Sequence, residues 1–202
     1  MKVGREFSVV DFRSKLLKTL RFCGSDAEAV TDRICEKCLD FTTLASVDAD
    51  VLRSLSSDKY AAMIKVMTAI ASRKVTEKFK FGVVHTDEEI EGFLSAYYLD
   101  FANETLLLLP IDDKGRVLAA EKMVEGTVNF SSVLPRKLLE IMLKYNSSKA
   151  IIAHNHPGGK ATPSREDVET TRALSAMFLT IGKELVCHYV VAGSEAVKVD
   201  IG

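Results

Sequence analysis

The chain has 202 residues, 47% hydrophobic and 27% charged, with 11 glycines and 4 prolines, which excludes collagen-like, low-complexity and wholly disordered proteins. That length makes one large domain or two small ones, with a core that needs neither disulfide nor structural metal. With 27 Lys+Arg against 28 Asp+Glu the formal net charge is -1, which argues against nucleic-acid binding by overall basicity and leaves only a local patch.

Residues 1 to about 80 hold no proline and read as successive amphipathic helices. Val9 to Leu20 places apolar residues three and four apart, with Gly24 as C-cap. Ser25 or Asp26 then caps a helix through about Phe41. Leu52, Leu55, Tyr60, Met63, Ile64, Met67 and Ile70 continue helical spacing to Ser72, and Lys74, Lys78 and Lys80 form a basic exit readable as a linker. No apolar run approaches the roughly 18 residues that span a bilayer. Met1 to Phe7 carries no apolar signal region, so no membrane partner and a cytoplasmic location are expected.

Thr86 and Glu89 form a capping box that opens a helix to about Tyr98. Glu104 to Leu109, a turn at Asp112–Gly115 and Arg116 to Ala119 predict a β-hairpin whose first strand is well buried. Thr127 to Phe130 reads as a further strand, and Pro135 suits the first position of a helix through about Tyr145. Lys149 to His154 is another buried strand, Glu166 to about Ile181 a helix, and Glu184–Val191 and Ala196–Val199 strands around a Gly193 turn. The expected fold is thus a small helical module, 1–80, followed by a mixed α/β domain, 85–202. All four prolines fall in the second half, at its boundaries: Pro110 ends a strand, Pro135 opens a helix, and Pro157 and Pro163 bracket a loop.

Cys23, Cys35, Cys38 and Cys187 are too few and too scattered for a disulfide framework, and reduced thiols are expected. Cys35 and Cys38 spell C-x-x-C but read as mid-helix residues facing a core; a zinc ribbon needs a second such pair. The histidines are more informative. His154 and His156 follow an apolar strand, and in extended backbone residues i and i+2 point to one face, so both imidazoles can serve one cation. Pro157-Gly158-Gly159 can reverse the chain, and Asp167 then arrives from the first turn of the next helix, with Ser164 as its N-cap. Two histidines and a carboxylate, with one position left for water, make a catalytic zinc arrangement able to activate water for amide hydrolysis.

The pattern His154-x-His156, seven residues, then Ser164-x-x-Asp167 resembles the JAMM signature of the JAB/MPN metalloprotease-like superfamily. Ala153 to Gly159 with Thr162-Pro163-Ser164 is similar to the RadC family in particular, and the resemblance extends over about residues 85–202, His188 included. It implies a cytidine-deaminase-like mixed β-sheet flanked by helices, with zinc held by His154, His156 and Asp167. Ser164 would hydrogen-bond the water or the developing oxyanion. The superfamily's general base is a glutamate on an early strand, for which Glu104 is the best positional match, ahead of Glu121 and Glu125.

The chain departs from the family where Gly158 replaces the usual serine, Cys187 the aspartate before His188, and Leu134 the histidine before Pro135. The first module stands where RadC proteins carry a helix-hairpin-helix-like unit, yet Leu55-Ser56-Ser57-Asp58-Lys59 replaces the glycine-rich hairpin that binds phosphates. Asn155 reads as a residue that fixes the loop. His188 reads as a buried strand residue in preference to a partner of the metal ligands. The resemblance implies a zinc-dependent hydrolase of a peptide or isopeptide bond. A DNA-repair-associated DNA-binding protein and a catalytically silent interaction scaffold are the alternatives.

Overall fold

A computed structural model describes residues 3–125 and 133–201. The first helices are α1 (Val3–Leu20), α2 (Ala27–Cys35), α3 (Phe41–Ser46), α4 (Ala49–Leu55) and α5 (Asp58–Thr76). Their apolar stripes close on a core of their own, with Leu16, Leu20, Ile34, Leu52, Tyr60 and Ile64 at its centre.

Three local expectations differ. The helix expected to run through Phe41 stops at Cys35, because extended Asp40 starts a new helix, its carboxylate accepting the Thr43 N–H at 2.7 Å. Cys35 and Cys38 therefore straddle a helix end; burial pushes the Cys38 thiol up to about 11. The stripe from Leu52 to Ile70 is two helices, broken at Ser56 and extended Ser57, although the apolar spacing runs on across the break. Gly24 is no left-handed cap: the carbonyls of Thr19 and Leu20 are taken by the N–H groups of Phe22 and Cys23. Glycine leaves room there: a Cβ would lie 2.9 Å from Asp26 Oδ1 and 3.0 Å from the Tyr60 hydroxyl, whereas the Lys59 end at 2.6 Å can swing away. That hydroxyl donates to Asp26, the N-cap of α2, whose carboxylate makes no cap bond.

Residues 77–86 are tied down. Phe79 stacks on His85 and Phe93, with centroids 3.8 and 4.3 Å apart, and Thr86 and Glu89 complete the expected capping box. The chain continues as β1 (Val83–Val84), α6 (Asp87–Tyr98), β2 (Thr105–Ile111), β3 (Arg116–Val117), β4 (Glu121–Glu125), α7 (Val133–Lys144), β5 (Lys149–Asn155), α8 (Arg165–Thr180), β6 (Glu184–Ala192) and β7 (Glu195–Lys198). The strand expected at Thr127–Phe130 lies outside the described residues. Pro135 sits in the first turn of α7, two residues after its first described position.

The strands form one mixed sheet in the order β1-β3-β2-β5-β6-β7, with β4 also paired to β2. Only β5 and β6 run parallel; the other pairs are antiparallel. All of β2 is buried, because helices cover both faces. Leu107, Leu109, Ile151, Ala153, Tyr189 and Val191 pack toward α6. Leu106, Leu108, Ala150 and Ile152 pack toward α7 and α8. Pro110 does not end β2 but lies within it, opposite Ala150. Its carbonyl accepts from Leu118 N–H, so its imide nitrogen faces that same side, where pairing passes from β4 to β3, and no bond to β5 is lost. Among the described residues no helix is long and apolar enough to cross a membrane.

Candidate metal centre

Strand alternation decides which side chains meet. Ala150 and Ile152 face α8, so His154, two further along β5, does too. Tyr189 and Val191 of β6 face α6, which turns His188 to the α8 side, and the parallel register sets it opposite Ile152, diagonal to His154. His156 lies just past β5, its N–H donating to Val191 carbonyl at 2.8 Å. The turn after it lets α8 begin at the sheet's end, and the capping box Ser164/Asp167 delivers Asp167 in the first helical turn.

Four of the sequence-derived residues converge. His154 Nε2 lies 3.0 Å from His156 Nε2, 3.1 Å from Asp167 Oδ1 and 3.9 Å from Glu104 Oε1, and His156 Nε2 is 3.7 Å from Asp167 Oδ2. Glu104, His154 and His156 offer ligand atoms within 4.8 Å of one another. Ligand atoms about 2.0–2.1 Å from a tetrahedral zinc are about 3.3–3.4 Å apart, so the His154, His156 and Asp167 separations bracket that value.

The hydrogen bonds fix the imidazoles. His156 Nδ1 lies 3.1 Å from the Lys160 carbonyl, which only accepts, so Nδ1 carries the hydrogen and Nε2 turns inward as a lone pair when the ring is neutral. His154 Nδ1 is 2.8 Å from His188 Nε2. Two inward nitrogens 3.0 Å apart repel unless a proton or cation stands between them, and beside a carboxylate that donor set suits a divalent cation. His188 is fully buried, and burial above all lowers its pKa to about 3, which favours the neutral ring.

Asp167 Oδ2 accepts from Ser164 N–H at 2.7 Å and from the Ser164 hydroxyl at 2.6 Å. Burial pushes its carboxyl up, but the bonds from His154 and from the Ser164 side chain and backbone outweigh that and hold it well below the usual carboxylate range. The Ser164 hydroxyl gives its one hydrogen to Asp167 and accepts the Asp167 N–H at 3.1 Å. In this arrangement it orients the carboxylate instead of donating to an oxyanion.

Glu104, 37% exposed, precedes β2 and is held from both flanks by Asn155. The Asn155 carbonyl accepts from Thr105 N–H at 2.8 Å and its amide donates to Asn103 carbonyl at 3.2 Å. Glu121, the second candidate base, is committed to α7 through Lys144 Nζ and the Tyr145 hydroxyl. The Glu125 side chain lies outside the described residues.

Residues 84–199 match the family model of the RadC-like JAB domain. The chain belongs to the RadC family. It is 32% identical over 147 residues to a UPF0758 protein of Photobacterium profundum, covering 72% of this chain and 65% of the relative. It is 31% identical over 149 residues to one of Herminiimonas arsenicoxydans (73% and 66%), and 30% identical over 157 residues to one of Cupriavidus pinatubonensis (76% and 68%). The match thus spans about two thirds of the length of these relatives. His154, His156, Ser164 and Asp167 all lie within the matched span. Gly158 adopts φ +66, where a serine is strained. Cys187, just before His188, is half-buried, and burial raises its thiol to about 11.

Thr171 is the site residue that the sequence did not single out. Its hydroxyl donates to the Asp167 carbonyl and lies 2.6 Å from His188 Nδ1. The available signal was spacing: Asp167 and Thr171 are four apart, one turn on the same helix face.

Proposed function

We propose that this chain is a zinc-dependent hydrolase that cleaves a peptide or isopeptide bond of a peptide or protein substrate in the cytoplasm. The observation that carries this reading is the meeting of His154 Nε2, His156 Nε2 and the Asp167 carboxylate at 3.0–3.7 Å at the end of a buried strand. These three residues would hold the metal, which when bound acidifies a water molecule and polarises a scissile carbonyl. Glu104, 3.9 Å from His154 Nε2 and partly exposed, stands beside the same nitrogens and would serve as the base toward the water. Its carboxylate takes the proton of the attacking water and returns it to the leaving amine as the C–N bond breaks, ending as it began. Asn155 keeps Glu104 aimed, and Ser164 keeps Asp167 aimed.

The test is the zinc content of protein purified without added metal, for wild type and Asp167→Ala. A peptide-library cleavage screen with Glu104→Gln as the blank then follows. Wild type should retain or take up one zinc and cleave, whereas Asp167→Ala should do neither and Glu104→Gln should bind without cleaving. A wild type that neither holds nor gains stoichiometric metal removes the hydrolase. Metal binding without cleavage of any amide favours a silent scaffold, and a salt-dependent shift of duplex or branched DNA favours a DNA-associated protein.

A further inference from the structure

We propose that Thr171 and His188 form a positioning relay that keeps the proton of His154 on Nδ1, leaving Nε2 as the nitrogen free to take a cation. The inference rests on the metal-binding reading above, but its logic begins at a backbone carbonyl. The Asp167 carbonyl can only accept, and Thr171 Oγ1 stands 2.5 Å from it, so the one hydroxyl hydrogen lies between them. Thr171 then has only lone pairs for His188 Nδ1, 2.6 Å away, so that nitrogen must donate. At mildly alkaline pH an imidazole is neutral, so His188 protonated on Nδ1 has a bare Nε2, and the hydrogen at the 2.8 Å contact must come from His154 Nδ1. Each donor is fixed by the one before it, and the order cannot be reversed without leaving the carbonyl facing another lone pair.

The relay starts and ends at metal ligands. It runs from the main chain of Asp167 through α8 and β6 to the ring of His154 on β5. Ligand geometry and ligand tautomer therefore depend on the same helix-to-sheet packing. His156 needs no such device, because the Lys160 carbonyl in its own loop serves it directly. His154, His188 and Thr171 are all buried, so in the native site each must find its partner among the others.

The relay is tested on 15N-histidine-labelled, metal-free protein at mildly alkaline pH, where long-range 1H–15N correlations report which nitrogen of His154 is protonated. Zinc affinity is measured in parallel by competition with a chromophoric chelator. Wild-type His154 should be protonated on Nδ1. His188→Phe and the isosteric Thr171→Val should release that preference and weaken zinc binding about 10–100-fold, the range for residues that support a metal ligand. His188→Gln, which offers an acceptor and a donor in the same order, and Thr171→Ser should restore both readouts. Circular dichroism and thermal melts identify a variant that fails to fold, in which case Thr171→Val carries the test. A neutral wild-type His154 bare at Nδ1 overturns the relay whether or not the protein binds zinc. Folded His188→Phe and Thr171→Val with wild-type zinc affinity and His154 tautomer overturn it as well. If the wild type binds no zinc yet His154 keeps Nδ1 protonated, the relay stands and the hydrolase reading falls.

Discussion

The two cores bury polar groups differently. In the helical unit, Thr31 and Thr68 are the buried polar residues among those described, and each hydroxyl simply donates to the carbonyl one turn back. In the α/β unit, Thr105, His154, Asn155, Asp167, Thr171 and His188 are buried at one end of the sheet and bonded to one another or to adjacent main chain. An unpaired buried polar group costs about 1–3 kcal/mol, so such a cluster persists only where every member is matched. The helical core is held chiefly by apolar burial, with the Tyr60–Asp26 bond at its edge. At the sheet's end the same burial makes a site in which each group constrains its neighbour.

That contrast breaks most sharply at Asp167. On the proposed assignment Asp167→Ala removes a ligand instead of its support, so its loss of zinc affinity should exceed about 100-fold, beyond the range for supporting residues, in the same chelator competition. The helical unit should answer oppositely. Leu20→Ala, at a fully buried position, should destabilise that unit by about 2–5 kcal/mol in urea unfolding and leave zinc affinity unchanged. A zinc affinity that falls together with Leu20→Ala would show that the two cores are not independent.

What the sequence made legible was whatever repeats a local pattern. The leucine run of β2 read as buried because no alternation was present, and both capping boxes read from four residues. The ends of α2 and α4 were illegible because apolar spacing persists where the backbone turns, and the turns are set by Asp40 and by extended Ser57. Pro110 misled for a related reason: its tolerance inside β2 depends on which side its nitrogen faces, a property of the sheet. His154, His156 and Asp167 could be grouped from i, i+2 alternation and a helix start. The link from His154 to His188 could not, since it depends on a parallel register that shifts between Ala150 and Ile151.

A smaller effect belongs to Asn155, where the comparison turns inward to the site. Asn155→Ala leaves the buried Thr105 N–H without its acceptor, for about 1–3 kcal/mol of stability. If Glu104 is the base and not a ligand, as proposed, zinc affinity should hold while turnover falls. Equal loss of both would mean that Asn155 supports the strand as a whole.

The smallest expected effect compares two copies of one motif. Thr86/Glu89 and Ser164/Asp167 are both capping boxes in which the N-cap hydroxyl accepts the third N–H and the third side chain accepts the N-cap N–H. Replacing either N-cap by alanine should cost about 1 kcal/mol, read as a matched drop in thermal stability. The motifs diverge in what the acidic residue faces. Glu89, itself exposed, also holds His85 at 3.1 Å, whereas Asp167 turns Oδ1 to His154 and depends on Ser164 to fix Oδ2. Thr86→Ala should therefore leave zinc binding untouched. Ser164→Ala should weaken it, by less than Asp167→Ala, because Oδ2 keeps the Ser164 N–H and loses only the hydroxyl. If the two alanine variants bind zinc equally well, the second capping box is only a helix start, and the orientation of Asp167 rests on its backbone bond alone.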